Sequence, residues 1–138
     1  MKNENRVGVH WIIIGALLAG VGVVLGSIGA HGLENMIQQM EDPTKRLTNW
    51  DVGVRYQMQH SMALILLGIL SILWGGGRWL ATAGFLFLLG ILFFSIGLYI
   101  WVFTDNQIIV SLVPLGGLAF ILGWTCILIQ ALLIPRVK

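Results

Sequence analysis

Asp, Glu, Lys and Arg are absent from residues 7–33, 56–77, 79–104 and 106–135. Leu, Ile, Val, Phe, Ala and Gly dominate each of these stretches. Each also reaches the ~20 apolar residues that carry a helix across the hydrocarbon core of a bilayer. Four membrane-spanning helices are predicted, over about 9–30, 52–73, 79–103 and 108–134. Helix is required because the bilayer core offers no water to unpaired backbone groups, and the period-two alternation of an outer-membrane barrel is absent. The first stretch follows Lys2 and Arg6 and has the outline of a signal peptide. Its apolar run is too long for a usual h-region and glycines recur along it, so it reads as a retained helix.

The connections shape the bundle. The second and third spans are joined at Gly75–Gly77, and the third and fourth at Asp105–Gln107. Turns this short force antiparallel neighbours. The first connection is longer. Leu33, Met36, Ile37 and Met40 follow i, i+3, i+4, i+7 spacing, which predicts a short amphipathic helix on the membrane surface, ended by Pro43. The expected fold is an all-α integral membrane four-helix bundle, a single domain over 1–138, with this interfacial helix after the first span.

Composition narrows the class further. Of 138 residues, 57% are hydrophobic and 10% charged. Soluble domains carry about 25% charged residues, so a soluble enzyme is excluded along with disordered chains and disulfide scaffolds. A net charge of +2 makes no polyanion-binding stripe, and nucleic acid is not expected as a partner. The single cysteine, Cys126, lies in an apolar run and reads as a small packing residue.

Charge also suggests an orientation. Four spans put both termini on one face, with the Gly75–Arg78 loop. That face carries Lys2, Arg6, Arg78, Arg136 and Lys138, whereas the other carries Lys45, Arg46, Arg55 and five of the six acids. The positive-inside rule places both termini in the cytoplasm and the chain in the inner or plasma membrane. Trp11, Trp50, Trp74, Trp79 and Trp101 fall near span ends, as interfacial belts require, and only Trp124 lies mid-span.

Glycines mark close helix contacts. Gly22 and Gly26 form a small-xxx-small pair in the first span, and Gly116, Gly117 and Gly123 lie in the fourth. Glycine lets helix backbones approach, so spans one and four are expected to pack on each other; a homodimer face is the alternative.

The intramembrane polar residues gather in one half. His31 ends span one; Arg55, Tyr56, Gln57 and His60 open span two; Ser95 and Tyr99 lie late in span three. Tyr56 and His60 share a helix face, as do Ser95 and Tyr99. Buried polar groups are expensive in lipid and should face one another, so a cluster of His31, Tyr56, His60, Ser95 and Tyr99 is expected. Arg55, paired with Glu34 or Asp51, would close it. Such a cluster serves as a structural hydrogen-bond network, as a proton relay, or as a metal site. Zinc signatures are missing, and a relay would need polar groups in the other half. Ser95 has no G-x-S-x-G elbow, and a helical serine is expected to bond a backbone carbonyl. No catalytic set, metal ligand set or cofactor motif is complete.

Four motifs carry a resemblance to a known family. They are G-S-I-G-A-H-G-L at Gly26–Leu33, W-D-V-G-V-R-Y-Q-M-Q-H-S-M-A-L at Trp50–Leu64, F-S-I-G-L-Y at Phe94–Tyr99 and P-L-G-G-L-A-F-I-L-G-W at Pro114–Trp124. Together and in this order they resemble the DUF423 family of small four-helix membrane proteins, which includes the transmembrane protein 256 type. The resemblance implies an integral inner-membrane protein without an assigned activity. The expected function is therefore a structural or accessory protein that binds other membrane subunits or lipid. Alternatives are a small-solute or ion transporter or channel using the His/Tyr cluster, and a metal-binding membrane protein or enzyme. Membrane lipids, other membrane subunits and a second copy of the chain are the expected partners.

Overall fold

In the computed structural model, which describes residues 2–134, the chain is helical from end to end. Helix α1 spans Lys2–His31, α2 Leu33–Ile37 and α3 Pro43–Trp74. The third span is continuous but wound in three parts: α4 at Arg78–Gly90, a π-helical segment at Ile91–Ile96, and α5 at Gly97–Thr104. Helix α6 covers Gln107–Leu133. Four helical segments are long and apolar enough to cross a membrane: Gly8–His31, Pro43–Trp74, Arg78–Thr104 and Gln107–Leu133. Arg136 and Lys138, two of the charges behind the expected orientation, lie outside the described residues.

Local chemistry sets the boundaries. Pro43 does not end a helix but opens one, at the first turn of α3, where its missing N–H costs least. The second long helix therefore starts at Pro43 rather than at Val52. Gly75 closes α3 in the left-handed conformation, with its N–H on the Ser71 carbonyl. The Asn106 side chain caps α6 by accepting from the backbone N–H groups of Ile108 and Ile109. Helix α2 is a short amphipathic helix packed against the bundle. Leu33 and Ile37 are fully buried and Met36 is exposed, so only part of the predicted apolar stripe is covered.

The packing order differs from the expected one. Helix α1 packs on α3, and α6 packs on α4 and the π-helical segment. Helices α1 and α6 do not form a packed pair among the described residues. The glycines show why. A Cβ at Gly22 would lie 2.6 Å from the Met58 sulfur, and one at Gly15 2.6 Å from the Ser61 carbonyl oxygen, so these notches receive α3. A Cβ at Gly116 would lie 2.5 Å from the Phe94 nitrogen, and one at Gly123 2.6 Å from the Phe87 ring, so these receive the third span. Gly26 and Gly117 have only ordinary contacts, to Val54 and Phe94. Each glycine run serves its antiparallel neighbour.

Helix α3 is the spine of the bundle. Its buried stripe reads Arg46, Trp50, Gly53, Gln57, His60, Leu64, Leu67 and Ser71, alternating steps of four and three. That is the seam of a heptad helix. Below it lies a core around Leu64, Leu67, Leu80, Phe87 and Phe120; above it lies a second around Leu33, Ile37, Trp50, Trp101 and Val102.

Candidate functional site

The heptad seam carries polar residues across both cores, and the structure resolves the expected cluster into separate pieces. Gln57 is buried among three helices. Its Nε2 donates to the Leu18 carbonyl of α1 at 2.9 Å, and its Oε1 accepts from the Tyr99 hydroxyl of α5 at 3.0 Å. Two turns earlier on α3, the Trp50 indole N–H donates to the Leu25 carbonyl of α1, also at 2.9 Å. Both contacts reuse carbonyls of a regular helix and tie α1 to α3 at two heights.

His60 sits in an aromatic box. Its ring stacks on Phe120 with centroids 3.5 Å apart, and Phe87, Tyr56 and Trp124 surround it. Its Nδ1 lies 2.8 Å from the Tyr56 carbonyl oxygen, which can only accept. The ring proton is therefore assigned to Nδ1. Nε2 is left as an acceptor, and the Trp124 indole N–H donates to it at 3.3 Å. Both ring nitrogens are thus engaged by the protein itself. A metal at Nε2 would have to displace Trp124, and a proton carried by Nε2 would break the same contact.

Of the remaining predicted residues, only Tyr56 touches this group; His31 and Arg55 stand apart, and the Ser95 hydroxyl makes no bond to it. His31 is exposed at the end of α1, beside an open apolar groove of about 640 Å³ lined also by Ile28, Met36, Trp50 and Phe103. Arg55 is exposed and pairs with Asp51, one turn back on its own helix, rather than with Glu34. Tyr56 packs its ring on Phe94 and Phe120 and stays 37% exposed. Ser95 is fully buried, yet its hydroxyl has no hydrogen-bond partner among the described residues. The expected bond to a backbone carbonyl is missing, and Ser95 lies in the π-helical segment. Ser61 and Ser71, in regular α-helix, do bond the carbonyl four residues back. No group of three or more His, Cys, Asp or Glu side chains converges as a metal-binding set among the described residues.

Two contributors escaped the sequence pattern. Trp124, the mid-span tryptophan, is the partner of His60. Arg46 is 5% exposed and reaches from α3 to the end of α5. It donates to the Val102 carbonyl at 2.6 Å, to the Trp101 carbonyl at 3.4 Å and to the Glu41 carbonyl at 2.7 Å. Asp105 lies 3.8 Å away. A guanidinium on the last carbonyls of a helix satisfies orphan acceptors and opposes the helix dipole. The four-three step of the α3 stripe runs through Arg46 and Trp50, and that periodicity would have found it.

A family profile described as "Protein of unknown function (DUF423)" matches residues 25–117. The UPF0382 membrane protein YwdK of Bacillus subtilis (strain 168) is 41% identical over 121 residues, covering 88% of this chain and 94% of the relative. The UPF0382 membrane protein SH2409 of Staphylococcus haemolyticus (strain JCSC1435) is 39% identical, covering 87% of this chain and 93% of the relative. No solved structure matches.

Proposed function

The chain belongs to the DUF423 family of membrane proteins, and from that premise we propose that it is a structural or accessory component that binds other membrane subunits or lipid, without turnover of its own. One observation carries this reading. The buried polar side chains of the seam are spent on holding helices together. Gln57 has its amide oxygen and nitrogen engaged, His60 both ring nitrogens, and Arg46 three backbone carbonyls. A transport or catalytic site keeps groups unspent for its substrate, and polar groups lining a pathway from one face to the other.

The test is gentle extraction from native membranes followed by native mass spectrometry. Defined additional subunits or lipid at fixed stoichiometry are expected. Solute flux through the purified chain in proteoliposomes, abolished by His60→Ala but not by the neutral control Arg55→Gln, would overturn the reading in favour of a transporter. In the same proposal both termini face the cytoplasm, because Lys2, Arg6, Arg78, Arg136 and Lys138 fall on that side of a four-span chain, against Lys45, Arg46 and Arg55 on the other. Reporter fusions at the two termini that both signal from outside would reverse it.

A further inference from the structure

At the end of the bundle where α3 begins and α5 ends, a half-enclosed polar cavity of about 150 Å³ is lined by Glu41, Asp42, Lys45, Arg46, Trp101, Asp105 and Gln107. That volume is roughly five waters' worth of liquid at ~30 Å³ each. Its position is set by helix length. The third span, Arg78–Thr104, has 27 residues. At ~1.5 Å per residue it is about 40 Å long, more than the ~30 Å hydrocarbon core and close to the full bilayer with its headgroups. With Arg78–Thr104 spanning the bilayer, a cavity at the end of this helix, lined by Trp101, falls at headgroup depth.

Its charges fall into two sets. Arg46 is buried, faces Asp105, and is committed to the carbonyls of α5. The Gln107 amide is committed to Asp105. Glu41, Asp42 and Lys45 carry no ion pair among the described residues. The Lys45 ammonium stands 5.4 Å from the Trp101 ring centroid. Two carboxylates and one ammonium around a small cavity ask for the complementary zwitterion: a primary ammonium that donates to the carboxylates, joined by a short linker to a phosphate that accepts from Lys45. A purely anionic headgroup would meet Glu41 and Asp42 as like charges. A quaternary ammonium would have no N–H to donate.

We propose that this cavity binds a phosphoethanolamine group, the headgroup of phosphatidylethanolamine or the same group on a soluble glycerol phosphodiester. The inference rests on the accessory reading above and names the lipid class. The experiment incubates the full chain in detergent with equal amounts of phosphatidylethanolamine, phosphatidylglycerol and phosphatidylcholine, and reads the bound lipid by native mass spectrometry. Retention of phosphatidylethanolamine about tenfold over both others is expected, a difference of ~1.4 kcal/mol. Glu41→Gln with Asp42→Asn, or Lys45→Gln alone, should erase the preference, while the exposed control Arg55→Gln keeps it. Equal retention of the three lipids by the wild type would overturn the proposal. So would a preference that survives both sets of substitutions, whose folding is checked by an unchanged melting temperature. Soluble glycerophosphoethanolamine that displaces the bound lipid supports the shared chemistry and makes the soluble ester the ligand. Co-purifying subunits that persist without any lipid preference would sink this inference and leave the accessory reading standing.

Discussion

Gln57 joins α1, α3 and α5 through one amide, so its loss should be felt beyond a single contact. Gln57→Leu keeps the volume but leaves the Tyr99 hydroxyl without its acceptor. A buried polar group stranded in this way costs about 1–3 kcal/mol. The melting temperature in detergent should fall, and a double-mutant cycle with Tyr99→Phe should show coupling of about 0.6 kcal/mol, the average for hydrogen bonds between membrane helices, and no more than about 1.7 kcal/mol. Ser95 predicts the opposite. Its buried hydroxyl has no partner, so Ser95→Ala should leave stability unchanged or raise it; a marked drop would show a partner for this hydroxyl. Tyr56, Gln57, His60 and Tyr99 were all visible in the sequence as polar residues in an apolar run. What they bond to was not. Leu18 and Tyr56 contribute carbonyl oxygens, to Gln57 and His60, and a backbone acceptor leaves no mark on a side-chain pattern.

Between elements, the contact surfaces run on sevens. Gly8, Gly15, Gly22 and Gly29 recur at every seventh position of α1, and each faces α3: Gly68, Ser61, Met58 and Trp50 in turn. The third and fourth spans mesh by a similar exchange, with Phe87 seated at Gly123, Phe120 at Gly90 and Phe94 at Gly116. Overfilling such a contact costs about 1–3 kcal/mol. Gly15→Val should therefore lower stability by that amount, whereas Gly20→Val should be silent, because nothing lies within 4 Å of a Cβ there. Thermal unfolding of the two variants side by side separates the effects. The four long helices were legible from charge-free runs. The partner of each helix was not, since Gly22 and Gly26 advertise close approach without saying to what. The π-helical turn was also hidden: Ile91–Ile96 has the same apolar composition as its surroundings.

At the scale of the whole molecule, Arg46 ties the entry of α3 to the end of α5. Its planar fork reaches carbonyls on both sides, which a single ammonium cannot do. Arg46→Lys should therefore destabilise nearly as much as Arg46→Met, about 1–3 kcal/mol in each case. Equal stability of Arg46→Lys and the wild type would mean that charge alone matters. A charge in the sequence reads as the edge of a membrane span, and that is how Arg46 was hidden. Cys126 is buried, so maleimide labelling of the folded chain should be slow and should become complete only on denaturation.

The seam of α3 has a consequence for how the chain enters the membrane. Helix α3 is the least apolar of the four spans and carries Arg46, Gln57 and His60 on one line. Left alone in lipid it would lose the partners that α1, α5 and α6 supply to those groups. Helix α1 has no Asp, Glu, Lys, Arg, Asn or Gln after Arg6, and its two histidines, His10 and His31, lie toward its ends, so it can sit in lipid by itself. It is synthesised first, and the carbonyls of Leu18 and Leu25 are in place before Gln57 and Trp50 arrive. The first helix is thus expected to serve the second as an intramolecular receptor during insertion, and α3 supplied without α1 should be released from the bilayer or degraded.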